Sequence, residues 1–188
     1  MAQIREWHKQ VNDERFVITT KRDLLDLDFI QNAFARDDMY WAKPLSHQDI
    51  TLMLDSSQTL GVYQISPAVS AAASASEPSS PRTPSPTLEQ EPQETYRQIG
   101  MARFITDHVT TAYLTDVFMD PDHRHLGLGI WLIACCKEIM ESMTAFRRAY
   151  LMASPGAGAE FYAKTLGFWD VHEEHEKCIA MTRRGFKF

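Results

Sequence analysis

The sequence predicts a mixed α/β fold, and three observations carry that expectation. Period-two apolar runs alternate with runs whose apolar residues recur at helical spacing. The strand-like run TAYLTDVFMD leads through a proline turn into a helix that opens with Gly127 and Gly129. No segment repeats, which sets aside solenoid and propeller architectures.

Taken in order, RFVITT alternates as a strand, and LLDLDFIQNAFAR places Leu24, Leu27, Ile30 and Phe34 at helical spacing. DDMYWAKPL is a loop, and SHQDITLMLDSS is a second helix with Ser46 as candidate N-cap. TLGVYQIS is a strand. RQIGMARFITD and TAYLTDVFMD are two more, joined by a turn at Asp107 and His108. Gly127 to Met143 is an amphipathic helix with Leu128, Leu132, Cys135, Ile139 and Met143 along one stripe. AYLMAS, AGAEFYAKTL and KCIAMTR complete the chain as strand, helix and strand.

At 188 residues the chain is expected to form a single domain over 1–188, large enough for a sizeable core. A net charge of −6 without any Lys/Arg block argues against a nucleic-acid surface and leaves cationic acceptors open. Three cysteines form no disulfide framework. The first residues lack a signal-peptide core, and no run approaches membrane-spanning length. The expectation is a cytoplasmic protein with no membrane partner.

Ser66 to Glu94 stands apart. It holds six of the nine prolines and almost no bulky apolar residue, so it cannot offset the entropy of being ordered. It is expected to be a disordered insertion at about 66–94 whose ends meet at adjacent strands. Either a tolerated surface insertion or a phosphorylated Ser/Thr-Pro arm fits that composition.

Two glycines at the head of an apolar helix weaken it by roughly 1 kcal/mol each relative to alanine. An anion site explains the choice. The first N–H groups of a helix lack partners within it, and the dipole puts partial positive charge there. Without a Cβ in the way, phosphate oxygens reach those N–H groups, and Arg124 adds a charge-assisted contact. A Walker loop would need Gly-Lys-Ser/Thr, whereas Ile130 and Trp131 follow Gly129. A dinucleotide fingerprint would need a small residue where Leu132 stands. A glycine-rich turn with no ligand is the remaining alternative.

Arg124-x-x-Gly127-x-Gly129, after a strand ending two residues before a proline, resembles the acetyl-coenzyme A signature of the GNAT N-acetyltransferase superfamily. YWAKPL, LGVY, IGMARFITDHVTTAYLTDVFMDP and AEFYAKTLGF fall in the order seen in its small stand-alone members. The resemblance runs from about Leu24 to Phe168 without the insertion. It implies a sheet splayed open at its middle, with acetyl-coenzyme A as co-substrate in the gap. Backbone groups of Val117, Phe118 and Met119 would bind the pantetheine arm. The amides of His125, Leu126, Gly127, Leu128, Gly129 and Ile130 would hold the pyrophosphate, with Ser154 near the coenzyme.

Acetyl transfer to an amine needs a proton removed, because an alkylamine of pKa near roughly 10.4 is mostly protonated at neutral pH. It also needs the oxyanion and departing thiolate stabilised. By the resemblance, Tyr162 is the acid candidate; the alternative is an ordinary half-buried helix tyrosine. Asp116, a carboxylate in a strand, is the candidate base or amine anchor; the alternative is an aspartate paired with Arg103 or with backbone. Tyr40 and Trp41, in the loop expected to overhang the acceptor, would hold an ammonium by cation–π contact or cap the core. His108 in its turn is a further substrate-contact candidate.

DHRH and HEEHE lack the ligand number and spacing of a zinc site, so no metal is expected. Cys135 and Cys136, mid-helix and without a base nearby, read as packing residues. The expected activity is acetyl transfer from acetyl-CoA to a primary amine of a small molecule, by direct attack in a ternary complex, in a monomer or homodimer. Two alternatives stand beside it: a protein lysine or N-terminal acetyltransferase, and a coenzyme A-binding regulatory module without turnover.

Overall fold

The computed structural model describes residues 3–39, 41–67 and 94–171. Among them are strands β1 (Glu6–Val11), β2 (Glu14–Thr19), β3 (Gln58–Ser66), β4 (Thr95–Thr106), β5 (Thr111–Met119) and β6 (Arg148–Leu151). They form one sheet in that order. Neighbours from β1 to β5 are antiparallel, and β6 runs parallel to β5. Helices α1 (Leu27–Phe34), α2 (His47–Asp55), α3 (Leu128–Glu141) and α4 (Ala157–Leu166) complete the mixed α/β arrangement.

Local chemistry sets the helix starts. The Asp26 carboxylate accepts from the backbone N–H of Asp28 and of Phe29, at 2.9 and 3.1 Å, so α1 begins at Leu27. Leu24, expected within that helix, lies instead in the 3₁₀ turn Arg22–Leu24 that precedes the cap. Ser46 Oγ accepts from Asp49 N at 3.1 Å and starts α2 as expected.

β1 is an addition to the sequence reading. Asn12, with φ of 54°, turns the chain between β1 and β2 in the left-handed region that asparagine tolerates. Only Trp7 and Val11 of β1 pack against the core, and Trp7 Nε1 reaches Glu138 Oε2 at 2.8 Å. Its other side chains are exposed, which removes the alternation by which a strand is read.

The two faces of the sheet have separate cores. Phe16, Ile18, Leu60, Val62, Ala102, Phe104, Ala112 and Leu114 pack against Leu128, Leu132, Cys135 and Ile139 of α3. On the other face, Met101 and Phe118 meet Ile30, Ala33 and Phe34 of α1, and Ile50 and Leu54 of α2. The predicted α3 stripe is buried along its whole length, from Leu128 to Met143 just past the helix. Burial pushes the Cys135 thiol up to about 12, which fits a packing residue.

Tyr40, the body of the insertion, the HEEHE run, Cys178 and the expected strand KCIAMTR lie outside the described residues. The flanks of the insertion are described. Ser66 and Thr95 are partners in the β3–β4 register, and Thr95 Oγ1 donates to Ser66 O at 3.3 Å. The two ends therefore sit where a short hairpin turn can join them. Replacing residues 68–93 by a tight turn should move the melting temperature by less than about 3 °C, the shift of a change under 1 kcal/mol. Calorimetry checks this, and a drop of 10 °C or more would show that the segment holds the fold.

Candidate active site

The site begins with a strand that loses its neighbour. β5 and β6 pair from Thr111 with Arg148 to Leu114 with Leu151, where β6 ends. β5 continues to Met119, still paired with β4 through Phe118 with Met101 and Met119 with Gly100. Along Thr115 to Met119 the β6 side of β5 therefore has no strand partner among the described residues. Val117, Phe118 and Met119, expected to offer backbone groups, lie on that stretch.

A bulge shapes the same stretch. Between Arg103–Thr115 and Met101–Phe118, β5 spends one residue more than β4. Asp116 sits there with φ of 50°, a conformation that costs most side chains energy and that aspartate adopts more readily. The extra residue explains how Leu114 and Met119, an odd number of positions apart, both face the α3 core.

Arg103 fixes the bulge. Its Nε donates to Asp116 Oδ2 at 2.7 Å, Nη2 stands 2.7 Å from the same oxygen as an ion pair, and Thr115 Oγ1 donates to Oδ1 at 3.2 Å. Both members are buried. The carboxylate singled out in the sequence is thus held by Arg103, the partner weighed for it there.

Beyond Met119 the chain turns into α3. Asp120 N donates to Ile99 O at 2.8 Å, and the Asp120 carboxylate accepts from Asp122 N. A 3₁₀ turn, Pro121–Leu126, follows, and then Gly127, with φ of 68° and ψ of 12°, caps the helix without a side-chain acceptor. The first-turn N–H groups of Leu128, Gly129 and Ile130 have no acceptor within the helix, and no acidic side chain stands in that turn. A Cβ on Gly127 would meet nothing within 4 Å, and one on Gly129 only Met119 Cγ at 3.7 Å. Packing demands neither glycine. Gly127 answers to its left-handed backbone, and both leave the amides uncovered for an anion.

Side chains around this turn divide the work. Leu128 is in the core, while Gly127 and Ile130 are exposed and Leu126 is half-buried. His125 is exposed as well. Arg124 folds back: Nε donates to Met119 O at 3.0 Å, and Nη2 meets Asp38 Oδ2 at 2.7 Å. Asp38 is a partner that sequence reasoning missed, because 86 positions separate it from Arg124.

Tyr162, half-buried on α4, stacks edge-on against Phe161 and packs on the α3 core. Burial, with Cys136 nearby, pushes its phenol up to about 12, so it stays protonated at neutral pH. Ser154 follows β6, and its carbonyl accepts from Ala159 N at 3.0 Å at the start of α4. Trp41 is half exposed in the α1–α2 loop. His108 stands apart from all of these. It occupies the β4–β5 turn, with φ of 62°, beside Arg5 and Ser142 at the far end of α3. The length of β5, roughly 26 Å at the usual strand rise, separates it from Met119.

Comparison with known proteins gives the family and the fold. Residues 76–168 match the model of the Acetyltransferase (GNAT) family. FG08082 of Gibberella zeae, a candidate acetyltransferase by name, is 30% identical over 158 residues, covering 84% of this chain and 81% of that protein. A GNAT-family candidate acetyltransferase from Xanthomonas campestris superposes with a TM-score of 0.55 at 22% identity, over 95% of both chains. A GNAT-family acetyltransferase from Streptococcus pneumoniae does so at 0.52 and 10% identity, over 97% of this chain and all of that one. Both structures share the fold. With the sequence relative and the matched motif region, they place the chain among the acyltransferases: it belongs to the GNAT family of acetyltransferases.

Proposed function

We propose that this enzyme carries the acetyl group of acetyl-CoA directly to a primary amine of a small molecule, with both substrates bound together. The observation that carries the reading is the unpaired edge of β5, which runs straight into a glycine-capped helix start. A pantetheine arm has amides of its own, and the backbone of Val117, Phe118 and Met119 would pair with them as a missing strand does. The amides from His125 to Ile130 would take the pyrophosphate at the positive end of the α3 dipole. Arg124, turned toward Asp38, contributes through its remaining N–H groups.

In the reaction, the unprotonated amine attacks the thioester carbonyl, a C–N bond forms and the C–S bond breaks. The thiolate leaves with a proton from Tyr162, which recovers one from solvent. The phenol carries its proton at neutral pH and so has one to give, although burial makes it a weaker acid. The amine loses one proton to water or to Asp116, which would have to share its carboxylate with Arg103. As an anchor, Asp116 would act through Oδ1, the oxygen that Thr115 holds. Trp41, with Tyr40 beside it in sequence, would offer an aromatic face to the acceptor ammonium. The acidic balance of the chain favours a cationic acceptor, and no basic block recommends an acidic peptide.

A thioester-consumption assay with polyamines, amino sugars, amino acids and short peptides tests the reading. Turnover with a small amine is expected; turnover with peptides alone would replace the acceptor class, and none with any would leave a binding module. Gly127→Glu should reduce coenzyme A affinity more than about 100-fold, by left-handed strain and like charge. Gly127→Asn, neutral and tolerant of that backbone, should keep it. Titration calorimetry checks both, and undiminished binding by the Glu variant would refute the site. Tyr162→Phe should lower kcat about 100-fold, the low end for a positioned acid, with coenzyme A affinity unchanged. Full activity would remove Tyr162 from the chemistry.

A further inference from the structure

One carboxylate fastens the loop between α1 and α2 to the turn before α3. Asp38 Oδ2 accepts from Arg124 Nη2 at 2.7 Å, and Asp38 Oδ1 accepts from Arg36 Nε at 2.9 Å. Both guanidiniums lie against the same ring, that of Phe118, 5.8 and 5.9 Å from its centroid. Phe118 is buried at the open stretch of β5, and Met39, next to Asp38, is buried in the same core. Arg124 is in turn tied by Nε to Met119 O, the last carbonyl of β5. Every member of the cluster thus bears on the end of β5.

An exposed ion pair by itself contributes little. Here the carboxylate serves two guanidiniums, and both rest on one buried ring. The hydrogen bond from Arg36, and then that from Arg124, hold the Asp38 carboxyl below the usual carboxylate range. A negative charge so close to a diphosphate site opposes the ligand unless it has another task. Fixing Arg124 while holding the neighbouring loop is such a task.

We propose that Asp38 is a positioning residue that couples donor binding at the start of α3 to the order of the α1–α2 loop. The proposal rests on the donor site described above. Coenzyme held by the 125–130 amides immobilises the turn that carries Arg124. Through Asp38 that order passes to the segment of Met39, Trp41 and Ala42, to which the proposed function gives the acceptor. The acceptor site is then best formed once the donor is bound, and by linkage an acceptor favours donor binding to the same degree.

Two turn hydrogen bonds report the order of this loop, Met39 N to Arg36 O at 3.1 Å and Ala42 N to Met39 O at 2.8 Å. Residue-resolved amide exchange, measured with and without saturating coenzyme A, reads both sites at once. In the native chain, coenzyme A should slow exchange at Leu128, Gly129 and Ile130, and also about fivefold at Met39 and Ala42, the size expected of a modest ion-pair network. Asp38→Asn should abolish the effect at Met39 and Ala42 and keep it at 128–130, with exchange at Ile18 and Leu60 unaltered as the check on folding. Protection at 128–130 without any at Met39 and Ala42 in the native chain would overturn the coupling, with no variant needed. So would protection at Met39 and Ala42 that survives Asp38→Asn. No protection at 128–130 would instead overturn the donor site, and the coupling with it.

Discussion

The Arg103–Asp116 ion pair is the constraint on which the site depends. It is a buried pair on adjacent strands, and its acidic member stands in a left-handed backbone at a bulge. Buried pairs are poor sources of net stability, because the cost of desolvating two charges roughly cancels their attraction. Removing one partner, however, leaves a stranded charge and costs about 3–5 kcal/mol. The pair therefore acts on geometry. It keeps β5 one residue out of phase with β4, which gives Met119 the α3 face and Phe118 the other at the strand's end.

From that phase shift the rest follows. Met119 packs toward α3, beneath Gly129, while Phe118 turns to the other core and supplies the ring on which Arg36 and Arg124 rest. Gly100 lets the two strands close at this point: a Cβ there would stand 2.9 Å from Phe118 O. With β6 ended at Leu151, β5 has no strand partner among the described residues on the side that faces away from β4. The α3 dipole then adds positive potential where that edge stops.

Much of this was legible in the sequence, and for local reasons. The Ser46 cap, the α3 stripe and the paired glycines are short-range features, so spacing alone reveals them. β1 was not legible, since its exposed edge carries Glu6, His8, Lys9 and Gln10 and only two packing residues. The role of Asp116 was legible only as a choice between substrate and Arg103, because the choice depends on a cross-strand register. Asp38 carries no signal of its own; one acidic residue among three in the sequence Asp37, Asp38 and Asp49 gains meaning only when α1 folds onto Phe118. His108 shows the converse. Its turn adjoins the right strand in sequence, but at the end remote from the helix start.

The parting of β5 from β6 was the least legible feature of all, since it depends on where a parallel register stops. A crystal structure with coenzyme A bound tests it most directly. The account predicts the pantetheine chain laid along the β6-facing side of Thr115 to Met119, with both phosphates within hydrogen-bond reach of the 125–130 amides. A ligand lodged beside His108 and Arg5, or β6 continued in register along Thr115 to Met119 with the coenzyme elsewhere, would contradict it.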